Sequence, residues 1–229
     1  MKRSRKYLEK LEKLGGKNVQ LDTVTALELI KSVSKQWESV DLDVRLDINT
    51  RKADQNIRGT TILPKGTGRT PTVLVLCKED KQEEANNAGA DHVGLDDMIE
   101  KIQGGWLEFD MVIASPDVMK NVSKIAKILG PRGLMPNPKS GTVTPDIQHA
   151  VEECKAGKVE YRADKTGIIH LSIGRASFEI DDLKQNVEHL MDMLMKARPA
   201  SVKGQYVKSI YLSTTQSPSL RLDVAGFSK

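Results

Sequence analysis

The chain has 229 residues, a length that suits two domains better than one. Hydrophobic residues make up 38% and charged residues 29%, as in an ordinary globular protein, and the net charge is only +4. Composition excludes a membrane-spanning helix, because no apolar run approaches roughly 20 residues, and no apolar signal-peptide core follows the basic N-terminus.

The first third of the chain is predicted to form two helices and two strands. Leucines at helical spacing over 8–14 form one apolar stripe, and Asp22 is a plausible N-cap for the second helix. Over 40–48, apolar residues alternate strictly with polar ones, which predicts a strand with one buried face. The run over 57–63 is predicted to be its partner strand.

The pattern changes in the middle third, after Gly66-Thr67-Gly68. The residues over 73–76 form a continuous apolar run, which is typical of a strand covered on both faces in a parallel sheet. Further strands are predicted near His92 and over 111–114, and helical segments separate them. This alternation predicts a doubly wound parallel sheet over about 69–157.

The last third returns to half-buried strands, with a predicted hairpin, helix and strand at 159–173, 182–198 and 206–213. Each outer third has about 70 residues, too few for a core of its own. We therefore predict an α/β protein with a discontinuous two-layer α+β outer domain (1–67 and 158–229). A doubly wound, Rossmann-like domain (68–157) is inserted into it.

Basic residues are concentrated in three blocks. The segment 2–17 has seven basic and two acidic residues, whereas 120–139 and 196–208 have no acidic residue at all. Segregated positive charge favours a polyanionic partner on one face. The alternative is an ordinary solvated surface.

The sequence shows no arrangement typical of an enzyme or a metal site. A strand is predicted after Gly66-Thr67-Gly68, whereas a phosphate-binding loop of the Walker type leads into a helix. The four histidines have no metal-ligand spacing, and Cys77 and Cys154 are expected to be reduced, buried thiols. We therefore expect no catalytic residue, no metal and no cofactor.

The most informative segment is 128–143, which has three prolines and three glycines in sixteen residues. Such a segment cannot lie inside a helix or a sheet, so a rigid, packed loop is predicted. It presents Arg132 and Lys139 without a nearby acid, which would suit contacts with phosphates. A structural cap on the sheet is the alternative.

Five motifs resemble the bacterial-type large-subunit ribosomal protein L-one family, the mobile stalk protein near the tRNA exit site. They are ILGPRGLMPNPKSGTVT at 128–144, RKADQNIRGT at 51–60, LPKGTG at 63–68, IEKIQGGWLEFD at 99–110 and KAGKVEYRADKTGIIH at 155–170. The resemblance implies an outer domain with most of the RNA contact. It also implies a hinge at Gly66, Thr67, Gly68, Ala156 and Gly157.

The same resemblance supplies candidate contact residues. They are Lys35, Gln36, Trp37, Ser39, Lys52, Lys165, His170, Ser213, Thr214, Thr215, Gln216 and Ser217, with Arg132 and Lys139 in the inserted domain. The chain departs from the family at Gln36, where a Phe is usual and Trp37 follows one residue later. It departs again at Gln216-Ser217, where the family has Met-Gly, so loop shape is expected to differ. We also expect Lys52 and Thr215 to be close in space.

The function implied is that of a structural constituent of the large ribosomal subunit. It would bind large-subunit ribosomal RNA at the mobile stalk and assist release of tRNA from the exit site, by shape, phosphate and 2′-hydroxyl contacts. The expected partners are that RNA and exit-site tRNA, with the chain's own messenger RNA as a candidate for repression, and no membrane or small-molecule substrate. We expect a ribosome-bound, cytoplasmic protein, bacterial-type or organelle-encoded. The alternatives are a small two-domain α/β enzyme with a hinged cleft and a protein-only scaffold.

Overall fold

A computed structural model describes residues 4–16 and 19–227, which leaves part of the basic segment 2–17 outside the described residues. The chain divides into two compact units. The outer unit comprises Met1–Arg69 and Val159–Lys229, and the inserted unit comprises Thr70–Lys158. Compactness does not show that either part folds alone, so the domain boundaries at 67/68 and 157/158 stay a prediction.

The elements alternate between helices and strands along most of the chain. The helices are α1 (Arg5–Lys13), α2 (Thr23–Val33), α3 (Gln82–Asn87), α4 (Asp96–Gln103), α5 (Met119–Val122), α6 (Ala126–Leu129), α7 (Ile147–Lys155) and α8 (Ile180–Lys196). The strands are β1 (Gln20–Leu21), β2 (Ser39–Leu46), β3 (Arg58–Ile62), β4 (Val73–Leu76), β5 (His92–Gly94), β6 (Met111–Ala114), β7 (Lys158–Arg162), β8 (Ile168–Arg175), β9 (Val207–Thr214) and β10 (Leu220–Leu222). Over 4–16 and 19–227, no helix is long and apolar enough to span a bilayer.

The outer unit is built on a five-stranded sheet in the order β1-β10-β9-β2-β8. Strand β2 lies between β9 and β8 and is antiparallel to both, and its alternating pattern is confirmed because Val40, Leu42, Val44 and Leu46 are all buried. Helices α2 and α8 cover this buried face and join its core. Asp22 caps α2 as predicted, since its carboxylate accepts a hydrogen bond from the Val24 N–H at 3.2 Å.

Two predicted strand pairings are wrong. Strand β3 pairs with β7 in a separate two-stranded sheet and not with β2. The predicted hairpin of β7 and β8 is not formed either, because these strands belong to different sheets although a tight turn joins them. In that turn the Asp164 carboxylate accepts hydrogen bonds from the N–H groups of Thr166 and Ile168, both at 2.8 Å. These bonds hold the turn while the chain passes from one sheet to the other.

The inserted unit contains a three-stranded parallel sheet in the order β5-β4-β6. All four residues of β4 are buried, which explains its continuous apolar sequence. One face packs against α4 and the 118–129 segment, and the other against α3 and α7. The predicted helix after Ser115-Pro116 is divided among α5, α6 and short 3₁₀ turns. It still buries the four expected residues: Val118, Val122, Ile125 and Leu129.

Both cysteines are buried in the inserted unit as free thiols. Burial raises the pKa of the Cys77 thiol and of the Cys154 thiol. Both are therefore poor nucleophiles. They pack as small apolar side chains beside α3 and α7.

Candidate nucleic-acid interface

The antiparallel register of β2 and β9 brings two distant loops together in the outer unit. Val40 pairs with Thr214, so the loop before β2 meets the turn after β9. Thr215 Oγ1 accepts a hydrogen bond from the Ser39 N–H at 3.2 Å and lies 3.0 Å from the Ser39 hydroxyl oxygen. We call this surface the strand-end site; it comprises Lys35, Gln36, Trp37, Glu38 and Ser39 with Ser213, Thr214, Thr215, Gln216 and Ser217.

A residue that the sequence did not indicate, Glu38, holds the strand-end site together. Its side chain is completely buried. The carboxylate accepts hydrogen bonds from the Thr214 hydroxyl at 2.8 Å, the Lys35 N–H at 3.2 Å and the Gln216 N–H at 3.3 Å. Glu38 therefore fixes both loops, with the two partners in the second loop 176 and 178 residues away.

Opposing effects act on the protonation of Glu38. Burial raises the pKa of the carboxyl, but the Thr214 hydroxyl, the two N–H donors and the charge of Lys10 lower it by more. The pKa is therefore below its ordinary value of 4.5, and the group is ionised near neutral pH. Lys10 also donates a hydrogen bond to the Gln216 carbonyl at 3.1 Å, so α1 braces the same turn.

Some residues of the strand-end site are exposed on its surface, and others are buried beneath it. Lys35, Gln36, Trp37, Thr215 and Gln216 are exposed, whereas Thr214 is buried. The Thr214 side chain thus supports the site from beneath. Its hydroxyl oxygen also lies 2.9 Å from that of Ser34, at the end of α2.

The second departure from the family pattern, at Ser217, has a structural role. The Ser217 hydroxyl accepts a hydrogen bond from the Thr214 N–H at 2.9 Å, and the Ser217 N–H donates to the Thr214 carbonyl at 3.1 Å. The turn is closed by both side-chain and backbone contacts. A glycine in this position could not make the first of them.

The expectation that Lys52 lies near Thr215 is wrong. Leu46 at the end of β2 pairs with Val207 at the start of β9, so Lys52 follows the end of β2 that is opposite to Thr215. Six residues of extended strand separate the two ends, which is roughly 20 Å. Lys165 lies with Lys52 at this far end, because the Thr50 hydroxyl donates to the Lys165 carbonyl at 3.1 Å.

His170 occupies the exposed face of the sheet between these two ends. It pairs in register with Asp43, and its Nδ1 lies 2.6 Å from the Asp43 carboxylate. Its Nε2 lies 3.8 Å from the carboxylate of Asp164. Hydrogen bonds from the Ile168 N–H and from Thr166 hold the pKa of Asp164 below its ordinary range, against a smaller opposing effect of burial. His170 therefore lies beside two acidic side chains, those of Asp43 and Asp164.

Arg132 and Lys139 lie in the inserted unit, and both are exposed. The loop that carries them is packed, as predicted: Val143 pairs with Ala114 at the edge of the parallel sheet, and the Ala114 N–H donates to the Thr142 carbonyl at 2.9 Å. Thr142 is buried. The loop thus caps the sheet and also presents two positive side chains, whose contact with phosphates stays a prediction.

The first predicted hinge segment is fastened to the outer unit. The Asn186 amide donates to the Gly66 carbonyl at 3.0 Å, and Arg175 donates to the Gly68 carbonyl at 3.2 Å. Both glycines have positive φ, +65° and +69°, which other residues rarely adopt. Thr67 lies between these anchors, whereas Ala156-Gly157 follow the end of α7 directly. The hinge stays a prediction, and such anchors would move the bending point beyond Gly68.

Comparison with known protein families identifies the family of the chain. The model of the ribosomal protein L1p/L10e family matches residues 27–218, which is most of the chain and includes both loops of the strand-end site. The family consists of structural, RNA-binding ribosomal proteins and not of enzymes. The resemblance seen in the sequence motifs is thereby confirmed, and the chain belongs to this family as a large-subunit ribosomal protein that binds ribosomal RNA.

Proposed function

We propose that the chain binds the large-subunit ribosomal RNA of the mobile stalk and assists release of tRNA from the exit site. The observation that carries the proposal is the strand-end site, where Glu38 holds two loops so that Lys35, Trp37 and Thr215 are exposed on one surface. Lysine can contact phosphates, and hydroxyl groups can bond the 2′-hydroxyl of ribose. A preformed surface of this kind suits folded RNA.

The far end of the sheet extends this proposal. Lys52 and Lys165 lie roughly 20 Å from the strand-end site, if each residue of the intervening strand spans about 3.4 Å. An RNA that contacted both the strand-end site and the Lys52 end of the sheet would extend along the whole of β2. A single short RNA loop would not reach both. We therefore propose a continuous RNA contact along the outer unit, with the two ends making different kinds of contact.

The first experiment compares two substitutions at these two ends. Lys52→Ala should weaken binding of a large-subunit ribosomal RNA transcript and lower the salt slope by about one phosphate contact. Thr215→Val should cost about 1–3 kcal/mol of binding free energy and leave the salt slope unchanged, because an RNA hydroxyl or base edge loses its partner. Filter binding across a salt series measures both.

A pair of control variants makes the result decisive. If neither substitution changes the binding constant while Arg132→Ala and Lys139→Ala abolish binding, the main RNA surface lies in the inserted unit and the proposal fails. Thermal unfolding of each variant distinguishes a lost RNA contact from a lost loop. If Thr215 merely stabilised its turn, Thr215→Val would lower the melting temperature without changing affinity.

The proposed role in tRNA release needs motion between two domains, with boundaries at 67/68 and 157/158. Ribosomes that lack the chain can be reconstituted with the wild-type protein or with one whose two units are cross-linked. The cross-linked form should bind ribosomal RNA normally and release exit-site tRNA more slowly. Equal release rates would refute the role of hinge bending.

Two further parts of the proposal concern the chain's own messenger RNA as a second partner and the location of the protein in the cell. An untranslated segment of the chain's own messenger would be bound if it copied the fold of the stalk RNA, and the strand-end site would then repress translation. A reporter fused to that segment should be repressed by the wild-type chain and not by Thr215→Val.

We propose that the protein acts in the cytoplasm on the ribosome, and copurification with ribosomal particles at low but not high salt tests this.

A further inference from the structure

A cavity of about 490 Å³ opens beside the strand-end site in the outer unit. Its lining includes one indole, two guanidinium groups and four hydroxyl groups, from Trp37, Arg69, Arg175, Ser39, Thr67, Ser172 and Thr215. Among the described residues that line it, none is acidic. Its volume falls within the roughly 300–1,000 Å³ typical of sites for small ligands.

Trp37 is the most exposed large hydrophobic residue that the structure describes, at 53%. An indole in that position adds little to the core, whereas it offers a flat surface to a nucleobase. The Lys35 ammonium lies 5.6 Å from the centre of the indole ring. The phosphate of a nucleotide whose base stacked on this ring would have a positive charge within reach.

Arg175 is held firmly at the wall of the cavity. Its Nη1 donates to the Trp37 carbonyl at 2.7 Å, and its Nε donates to the Gly68 carbonyl at 3.2 Å. These two bonds orient the guanidinium group without neutralising its charge. Arginine in such a fixed geometry is suited to binding phosphate.

Two of the hydroxyl groups that line the same cavity lie close together. The Ser39 and Thr215 hydroxyl oxygens are 3.0 Å apart, and each can act as donor or acceptor. The Ser39 hydroxyl also lies 3.0 Å from the Asp41 carboxylate, which favours donation from Ser39 to Asp41. The Thr215 hydroxyl then remains able to bond a ribose hydroxyl.

We propose that this cavity holds one unstacked nucleotide of the bound RNA. The base stacks on Trp37, the phosphate contacts the Arg175 guanidinium, and the ribose 2′-hydroxyl bonds to Thr215. Unstacked nucleotides in loops and bulges are the usual targets of RNA recognition by aromatic side chains. This inference rests on the proposed RNA-binding function and adds to it a site for a single nucleotide, with Ser172 and Arg175 as residues that the sequence did not indicate.

Fluorescence of Trp37 tests the stacking directly. The chain has two tryptophans, so Trp106→Phe leaves Trp37 as the single reporter. Titration with a large-subunit ribosomal RNA transcript should quench its emission with the same midpoint that filter binding gives for this variant. A small-subunit ribosomal RNA transcript at the same concentrations is the control and should cause much less quenching.

Substitutions at Trp37 give a second, independent measurement. Trp37→Phe keeps an aromatic surface and should change Kd by only a few fold. Trp37→Leu should raise Kd by about tenfold or more, since it removes one base stack. The salt slope should stay unchanged in both, because no phosphate contact is lost. The side chain is exposed, so both variants are expected to fold.

The outcomes separate this inference from the function on which it rests. If the wild-type chain fails to bind the large-subunit transcript, the proposed function itself fails. If it binds, but Trp37 emission does not change and Trp37→Leu binds as tightly as the wild type, the nucleotide site is refuted while the proposed function stands. Quenching together with the tenfold loss supports the site.

Discussion

Replacing Glu38 by glutamine keeps the size and shape of the side chain, but it should weaken the hydrogen bonds that hold the strand-end site together. The carboxylate uses Oε1 to accept from the Lys35 N–H and Oε2 to accept from the Thr214 hydroxyl and the Gln216 N–H. An amide has only one oxygen, so its NH₂ group must face one of these donors. Hydrogen bonds to a charged group contribute about 1.5–3 kcal/mol each, and Glu38→Gln should therefore lower the free energy of unfolding by about 2 kcal/mol or more.

The pH dependence of stability distinguishes this effect from a simple packing defect. Because the pKa of Glu38 in the folded protein lies below its ordinary value of 4.5, its contribution is fully present above that pH. The contribution is lost as the pH falls through the lower pKa of the folded state. Urea unfolding from pH 7 to pH 3 should show that the difference between wild type and Glu38→Gln shrinks at low pH.

The control for this series is Glu160→Gln, a substitution of an exposed glutamate in β7 of the same unit. It should change the free energy of unfolding by less than about 0.5 kcal/mol. Ribosomal RNA binding should weaken in Glu38→Gln alone, because the Lys35 and Thr215 loops lose their common support. Equal stability of Glu38→Gln and wild type at pH 7 would refute the reasoning.

Three further experiments test other parts of the structure. Combining Lys52→Ala with Thr215→Val should give additive losses of RNA binding free energy within about 0.5 kcal/mol in filter binding, since sites more than about 10 Å apart rarely couple. Asn186→Leu should destabilise the chain by about 2 kcal/mol or more in urea unfolding, because the buried Ile173 carbonyl and two part-buried backbone groups, the Lys65 N–H and the Gly66 carbonyl, lose their partner. Gly59→Ala would place a Cβ 2.6 Å from the Tyr161 hydroxyl oxygen and should cost about 1–3 kcal/mol by thermal unfolding, with partial recovery in Tyr161→Phe.

The sequence predicted best what depends on neighbouring residues. The alternation in β2 and the continuous apolar run in β4 both identified strands and their buried faces, because side chains alternate across a strand with a period of two. The cap at Asp22 is also predictable from local sequence, because the residue that it binds, Val24, is only two residues away. Strands β1 and β10 were missed because two and three residues are too few to show a period.

Pairing between distant strands could not be predicted in the same way. The alternating pattern of a strand shows which face is buried but not which strand lies beside it. The sequence therefore predicts β2 as the partner of the segment 57–63, although this segment pairs with β7. Lys52 and Thr215 are predicted to be close because both follow strands of one sheet. Strands β2 and β9 run in opposite directions, however, so the end of β2 lies far from the end of β9.

The strand-end site shows where resemblance and physical reasoning complement each other. Resemblance located the two loops, but it left the departure at Gln216-Ser217 unexplained. In the structure, Glu38 binds the Gln216 N–H and the Ser217 hydroxyl binds the Thr214 N–H, so side chains define this turn. A turn held by side-chain acceptors does not need the conformational freedom of glycine. The same contacts that replace that freedom hold Thr215 beside Ser39, where the proposed RNA contact requires it.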